Sequence, residues 1–439
     1  MDVAVIGGGP AGLAAAWRLV RAGARVRVYE RREVVGGGLR TDVLDGVRVD
    51  PVVQLLGSHY RATVRLAEEV GARGLIVRAP GRDALWRGGR AHPITYGSVG
   101  SMIVSGALPL RLKLRLARDY VPFLQRHRKV LDANRPVRTA EAGLDRESIA
   151  EWGRREVGEE FSELLAYPLL AAYHGAAPEE VAAGFYHALA REGLGVTVYG
   201  VTGGVGELSA AVVRALEGAG AELRTGSGVQ ALDVTGDGVV VRWPGGETRH
   251  DAAVVAVPAS VARELAGLPA PAAEWLAGTR SAPTATLALL LDRPVDADFF
   301  GLSFTRREPP GDRLAAVCVE ERKGAGLVPE GKGLLVCYPA PAVAERLAEA
   351  PPAEVLDFLM PAVERAFPGL RANVVRAKAY RLPEGIAVFY PGYAGHLARF
   401  DPGWLGRRLA LAGSYLVSPT VEGAVRSGEA AAERLLRAA

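Results

Sequence analysis

Met1-Asp2-Val3-Ala4-Val5-Ile6-Gly7-Gly8-Gly9-Pro10-Ala11-Gly12 is the stretch on which the fold turns. Its first six residues are a short apolar run, the kind that forms a buried parallel strand. Gly7, Gly9 and Gly12 then fit G-x-G-x-x-G, and an apolar helix pattern, Leu13 to Val20, follows at once. A second strand pattern, Arg25 to Tyr29, ends at Glu30. Strand, glycines, helix, strand and acid in register make a complete β-α-β unit for a dinucleotide. Gly7 allows the tight turn, Gly9 lets backbone approach a pyrophosphate, and Gly12 packs helix on strand. The helix start at Pro10-Ala11 presents backbone donors and a positive dipole end to phosphates. Glu30 can accept hydrogen bonds from a ribose, and Arg31 follows it at the same tip.

Downstream of Glu30 the chain reads Gly36-Gly37-Gly38-Leu39-Arg40-Thr41. This resembles the extended FAD motif of the flavin-containing amine oxidase superfamily, which includes monoamine oxidases, protoporphyrinogen oxidases and phytoene-desaturase-like enzymes. The resemblance implies that Gly36 and Gly37 pass close to the cofactor phosphates and that Gly38, Leu39 and Arg40 approach the flavin. Gly38 departs from the usual arginine, and Val52, in Asp50-Pro51-Val52-Val53-Gln54, stands where the family often has glycine. Near the C-terminus, a strand pattern Leu409 to Leu411 leads to Gly413-Ser414, then to Thr420-Val421-Glu422-Gly423-Ala424 and a helix pattern from Arg426 to Leu436. In the family this region holds the ribityl-pyrophosphate and the ring edge, which implies Gly413, Ser414, Val421, Glu422 and Ala424. Val229, at the start of the strand pattern Val229 to Val234, is the implied adenine contact. The cofactor expected is FAD.

The implied architecture is α/β: a Rossmann-type FAD-binding domain of the GR2 flavoprotein kind, interleaved with a mixed α+β substrate domain. Residues 1–56, 200–262 and 400–439 would form the FAD-binding domain. A helical insert, 57–199, and a β-rich insert, 263–399, would form the substrate side. Strand patterns in the latter are Thr284 to Leu291, Leu314 to Val319 and Gly333 to Tyr338. Ser148 to Arg155, Gly158 to Phe161, and Tyr167-Pro168 through Glu180 resemble protoporphyrinogen oxidases, as does Tyr393-Ala394-Gly395-His396. Gln54-Leu55-Leu56-Gly57 and the Glu422 region look as much like isoprenoid desaturases. The substrate pocket is expected at Gln54, Tyr167, Leu170, Tyr173 and Tyr393, with ordinary core as the alternative for each aromatic.

Monoamine and polyamine oxidases carry a lysine on the strand read here as Thr284 to Leu291, and this one has none. That weighs against a typical amine oxidase and implies that no lysine serves the flavin reaction. The resemblance thus implies an FAD-dependent oxidoreductase that moves hydride from a carbon of a bulky apolar or cyclic small molecule to flavin N5. A porphyrinogen leads; an isoprenoid or an amine follows; oxygen or a quinone would be the electron acceptor. A flavin-binding partner protein without catalysis is the alternative of another class.

Composition bounds the rest. The net charge of +4 is too small to argue for nucleic acid. Cys318 and Cys337 read as buried strand residues, not a disulfide framework, and the seven histidines show no metal-ligand spacing. No apolar run reaches the ~18 to 20 residues of a membrane span, and the start reads as fold and not as a targeting peptide, so a cytoplasmic location is expected. Leu110 to Leu116 alternates apolar and basic residues. Alternation favours a strand, while the family places helix here. With Arg118, Arg126, Arg128 and Lys129 this is the most basic part of the chain. Peripheral contact with an anionic membrane or an acidic substrate is one reading of it, and a solvated face is the other. Oligomeric state is not legible.

Overall fold

The computed structural model describes residues 1–79 and 82–439. A parallel five-stranded sheet is built from Asp2–Ile6, Arg25–Tyr29, Glu222–Arg224, Ala252–Val255 and Leu409–Leu411, with Asp2–Ile6 at its centre. Its central strands are apolar because both faces are covered: Val3, Val5 and Val254 pack with helices, while Ala4, Ile6 and Val255 pack with Val239 and Val241 of an antiparallel sheet. Pro10–Arg21 and Val421–Ala438 pack against each other beside it, so tightly that a Cβ on Gly428 would lie 2.0 Å from the Ala11 carbonyl oxygen. Between Glu222–Arg224 and Ala252–Val255 stands an antiparallel trio, Ala231–Thr235, Gly238–Trp243 and Gly246–His250.

The second large sheet has seven strands. In spatial order they are Val374–Ala387, Ser281–Leu291, Gly333–Pro339, Leu314–Val319, Gly301–Phe304, Asp83–Arg87 and Arg90–Ile94. The last two come from the segment expected to be a helical insert, so that insert also supplies a sheet edge. Register fixes which side chains share a face. Asp83 lies opposite Gly301, Gly301 opposite Cys318, and Cys318 opposite Val336. Ala316 lies opposite Tyr338 on the same face, and Thr286 opposite Tyr380. The opposite face carries Leu302, Val317, Leu335 and Leu289, which pack with Leu347, Val355, Leu359 and Val363 of the helices Pro341–Glu349 and Pro352–Ala366. Cys318 and Cys337 are free, buried strand residues.

The alternating segment forms helix, not strand: Leu110–Arg115 continues through a turn of π-helix, Leu116–Tyr120, into Val121–His127. Its buried positions are Leu112, Leu116, Tyr120 and Leu124. A two-residue alternation contains a four-residue spacing, and the wide π turn keeps that spacing on one face. The leucines between, Leu110 and Leu114, point to solvent. The strand expected from Val229 begins at Ala231, so Val229 precedes it, half-buried against the core. The C-terminal helix begins at Val421 rather than at Arg426, because Thr420 caps it: the Thr420 hydroxyl accepts from Gly423 N–H at 3.0 Å.

Candidate active site

Two glycine loops form the cradle. Gly7 has φ +104°, and a Cβ there would lie 2.4 Å from the Ala256 carbonyl oxygen, so only glycine makes this turn. A Cβ on Gly12 would lie 1.9 Å from the Gly7 carbonyl, which is how helix and strand pack so closely. Gly36 N–H donates to the Gly8 carbonyl at 2.7 Å, and a Cβ on Gly37 would lie 3.1 Å from the Gly9 Cα. The loops therefore sit one on the other. A Cβ on Gly9 itself meets nothing nearer than 4.0 Å, so the backbone there is open to a ligand. The helix Pro10–Arg21 has no side-chain cap and no acid in its first turn, which leaves its N-terminal dipole and the Ala11 amide to an anion.

Charge around the cradle points the same way. Burial lowers the Arg32 pKa, and the neighbouring Arg40 lowers it further. Arg40 Nε is buried with no hydrogen-bond partner, and its guanidinium lies 5.9 Å from the Tyr380 ring. Two neighbouring guanidiniums suit an anion such as a pyrophosphate. Glu30 holds the strand tip through both carboxylate oxygens: Gly8 N–H donates to one at 2.7 Å and Arg32 N–H to the other at 2.9 Å. Arg31 lays its stem against Gly228, since a Cβ there would lie 3.2 Å from Arg31 Cγ. That brings Arg31 beside Gly228, the residue before Val229. These residues fit FAD, and bound FAD would supply the two-electron acceptor.

At the C-terminal segment some expectations change. Gly413 N–H is used within the fold, donating to Ser427 Oγ at 2.9 Å, and the glycine is required because a Cβ would overlap the Tyr415 ring. The Glu422 carboxylate does not face the cradle. It is fully buried and accepts from Ala62 N–H, Thr63 N–H and Thr63 Oγ at 2.9 to 3.0 Å, capping the helix Arg61–Glu69, and Arg426 pairs with it at 2.7 Å. What this segment can still give a cofactor is backbone at Val421, Glu422 and Ala424, together with Ser414, where a short turn begins.

Gln54 belongs to a buried polar network. Lys323 Nζ donates to Asp50 Oδ2 at 2.7 Å, to Gln54 Oε1 at 2.8 Å and to Glu320 Oε2 at 3.4 Å, and its side chain is wholly buried. Gln54 Nε2 donates to the Asp50 carbonyl at 2.6 Å and to Tyr338 OH at 2.8 Å. Asp50 Oδ1 accepts from Thr41 Oγ at 2.5 Å and from Val205 N–H at 3.1 Å. The network clamps the loop Asp50–Gln54 against the second glycine loop: a Cβ on Gly38 would lie 3.7 Å from Val53 and 3.9 Å from Val52. Gln54 is thus a clamp of the cofactor-side loop. Burial lowers the Lys323 pKa, but Glu320 and Asp50 outweigh it and hold the ammonium above the ordinary lysine value. Glu320 is the surplus anion, and burial pushes its carboxyl up to about 7 against the pull of Lys323. The strand Ser281–Leu291 carries Thr286 instead of a cation, and its hydroxyl donates to the Pro51 carbonyl at 2.9 Å.

The expected pocket residues separate. Leu170 is fully buried in the main core. Tyr393 is core too, its hydroxyl donating to the Tyr415 carbonyl at 2.9 Å within a cluster of Phe389, Tyr390 and His396. Tyr167 is buried beneath Arg306, which lies 5.2 Å from its ring and pairs with Glu163 and Glu179. Tyr173 alone faces open space: it is 45% exposed. Yet it lies deep, for burial holds its hydroxyl well above the ordinary range, reinforced by Asp83, Cys318, Tyr96 and Tyr60. An accessible ring hemmed in by protein marks an interior cavity. His174 and His396 are structural: burial lowers both, His174 to about 4, so both stay neutral at pH 7. Among the described residues no cluster could hold a metal ion, and no helix is long and apolar enough to cross a membrane.

Asp83, Tyr96, Arg32 and the Lys323 network were not foreseen. Only the buried lysine had a sequence signal, because it is one of five lysines in an arginine-rich chain.

Relatives agree with this geometry. The chain is 30% identical over 274 residues to the AofH protein of Mycobacterium tuberculosis, whose name is that of a flavin-containing monoamine oxidase. That match takes in 59% of this chain and 57% of the relative, so the chain spans little more than half the length of that protein. It is 29% identical over 180 residues to the coproporphyrinogen III oxidase of Propionibacterium freudenreichii, covering 40% and 32% of the two chains. Cyclohexylamine oxidase from Brevibacterium oxydans shares the fold, with a TM-score of 0.75 at 20% identity over 99% and 98% of the chains. The family model of the flavin containing amine oxidoreductases matches residues 10–436, and with the two stacked glycine loops this establishes that the chain belongs to that family.

Proposed function

We propose that the protein removes hydride from a carbon of a bulky cyclic substrate bound in the cavity at Tyr173, in the manner of a protoporphyrinogen oxidase. The observation that carries this reading is the cavity itself. Its mark is the Tyr173 ring, 45% exposed although Asp83, Cys318, Tyr96 and Tyr60 stand around it. FAD would be held by Gly9, Ala11, Gly12, Glu30, Arg31, Gly37, Arg40, Val229, Ser414 and the amides at Val421 to Ala424. In this reading residues 1–56, 200–262 and 400–439 form the cofactor unit, and the two inserts wall the substrate side. The chain's own part is to bind, orient and exclude water: Thr286 and the Lys323 network fix the loop facing the ring, and the sheet closes the far wall. Among amines, porphyrinogens and isoprenoids, the Thr286 position supports a substrate that needs no lysine-held water.

Anaerobic mixing with a protoporphyrinogen, a coproporphyrinogen, benzylamine and an isoprenoid polyene tests this directly. Bleaching of the flavin band by a porphyrinogen is the expected result, and bleaching by benzylamine alone would overturn it. Reoxidation by oxygen or by a quinone identifies the acceptor.

A second reading concerns place. We propose peripheral contact with an anionic membrane through the helix Leu110–His127. It is favoured by an exposed apolar cluster at Val99, Ile103, Val104, Leu110, Leu114 and Val121, beside exposed Arg126, Arg128 and Lys129.

A further inference from the structure

We propose that Asp83 is the substrate anchor of the cavity, accepting hydrogen bonds from N–H groups of a nitrogenous ligand. The proposal deepens the oxidase reading and rests on it for the identity of the cavity. Asp83 opens the strand Asp83–Arg87, and register sets it opposite Gly301 on the sheet face that also carries Cys318 and Tyr338. Gly301 has no side chain to cover it; a Cβ there would lie 2.8 Å from Asp83 Oδ1. The carboxylate lies over the Gly301 backbone, and among the described residues no side chain hydrogen-bonds it. Among the described residues no lysine, arginine or histidine forms an ion pair with it.

The surroundings make this a cost that a ligand would relieve. Burial pushes the Asp83 carboxyl up to about 7, as expected for an acid with no cation beside it. Around it stand Tyr173, Tyr96 and Cys318, all of which feel its charge. Tyr96 OH is buried without a hydrogen-bond partner, so a second polar atom in this wall is unsatisfied. An orphaned carboxyl and an orphaned phenol facing one cavity are costly against a hydrocarbon and suited to N–H donors.

Position adds a length. Three strand spacings separate the Asp83 strand from the Tyr338 strand, or about 14 Å across the sheet. A ligand gripped at Asp83 with its oxidised carbon near the Gln54–Tyr338 end would be about that long or wide. Pyrroles and ammonium groups both offer the required N–H donors; an isoprenoid offers none.

Equilibrium dialysis of the FAD-loaded protein separates these sources. The probes are coproporphyrin III for pyrrole N–H, 1,4-diaminobutane and benzylamine for ammonium, and β-ionone for hydrocarbon. Wild type should retain at least one nitrogen probe. Asp83→Asn should weaken it at least tenfold, Asp83→Leu should weaken it further, and Asp83→Glu should recover part of the loss. Retention of β-ionone should not fall in Asp83→Leu. FAD content, melting temperature and reduction by dithionite should be unchanged in all three variants, which separates a lost anchor from a lost fold or cofactor. Nitrogen probes that bind Asp83→Asn as they bind wild type overturn the proposal. So does wild type that retains no nitrogen probe. If a substrate bleaches the flavin equally in wild type and Asp83→Asn, the oxidase reading stands and the anchor falls. If the nitrogen probes depend on Asp83 but nothing bleaches the flavin, the anchor stands and the oxidase reading falls.

Discussion

Lys323 shows what one buried residue can be required to do. It neutralises Asp50, bonds Gln54 and partly offsets Glu320, all without contact with solvent. Removing one partner of a buried charge cluster costs about 3–5 kcal/mol, because the remaining charges are left uncompensated. Lys323→Met should lose that much in urea denaturation and loosen the loop Asp50–Gln54, and unchanged stability would show the network to be idle. Glu320 gives a sharper, signed test. Its folded carboxyl sits near 7, above the ordinary 4.5, with one oxygen lacking any partner. Its contribution to stability is therefore fully present below about pH 4.5 and is lost as pH rises through about 7. Wild type should fall in stability relative to Glu320→Gln between pH 5 and pH 8, at about 1.4 kcal/mol for each unit of pKa displacement. Equal pH profiles for the two proteins would place Glu320 in an ordinary environment.

Glu422 illustrates how an element redirects a residue. The motif around it suggested a cofactor contact, but the side chain caps a helix that lies 359 residues away in sequence. A motif read along one strand of sequence cannot reveal a partner brought in by tertiary packing. Glu422→Ala leaves the Ala62 and Thr63 amides without their charged acceptor, a loss of about 1.5–3 kcal/mol for a charge-assisted bond. Thermal unfolding should register that loss, while the FAD dissociation constant should move less than tenfold; the reverse pattern would restore Glu422 to the cofactor site. The same contrast explains what was legible elsewhere. Leu314 to Val319 and Leu409 to Leu411 were readable to the residue, since strands buried on both faces are written as continuous apolar runs, and Arg25 to Tyr29 was readable from its alternation. The glycine turns were readable because local sterics demand them. The segment Leu110 to Leu116 misled because period two contains period four. Asp83 was invisible for a deeper reason: an aspartate at a strand start looks like solvent-facing punctuation until sheet pairing sets Gly301 against it.

At the scale of the whole molecule, large exposed apolar residues gather in one segment of the chain. Six of the large exposed apolar residues fall between Val99 and Val121, with Val104 82% and Leu110 70% exposed. Two segments make this patch, and Lys113 joins them: its ammonium donates to the Ile103 and Ser105 carbonyls at 2.7 and 2.8 Å, drawing the 103–105 loop onto the helix. Several nearby cations are used internally, Arg111 with Glu160 and Arg118 with Asp119, so Arg126, Arg128 and Lys129 supply the free positive rim. An apolar cluster with a basic border suits the interface of an anionic bilayer, where apolar burial and charge attraction add. The protein should sediment with vesicles of phosphatidylcholine and phosphatidylglycerol, less with phosphatidylcholine alone, and less again at high salt. Ile103→Asp with Val104→Asp, or Leu110→Glu with Leu114→Glu, should abolish sedimentation while FAD content stays constant. Vesicle binding that survives both double variants would move the contact to another face. Wild type that ignores vesicles but forms dimers, with both variants monomeric by light scattering, would assign the patch to a second copy of the chain. The position of the patch makes the distinction matter: the helix that carries it packs through Tyr120 onto Trp152 and Phe161, and Phe161 leads directly into the helix bearing Tyr173. A bilayer held there would lie on the same insert that walls the cavity, which would let an apolar substrate reach Asp83 without crossing water.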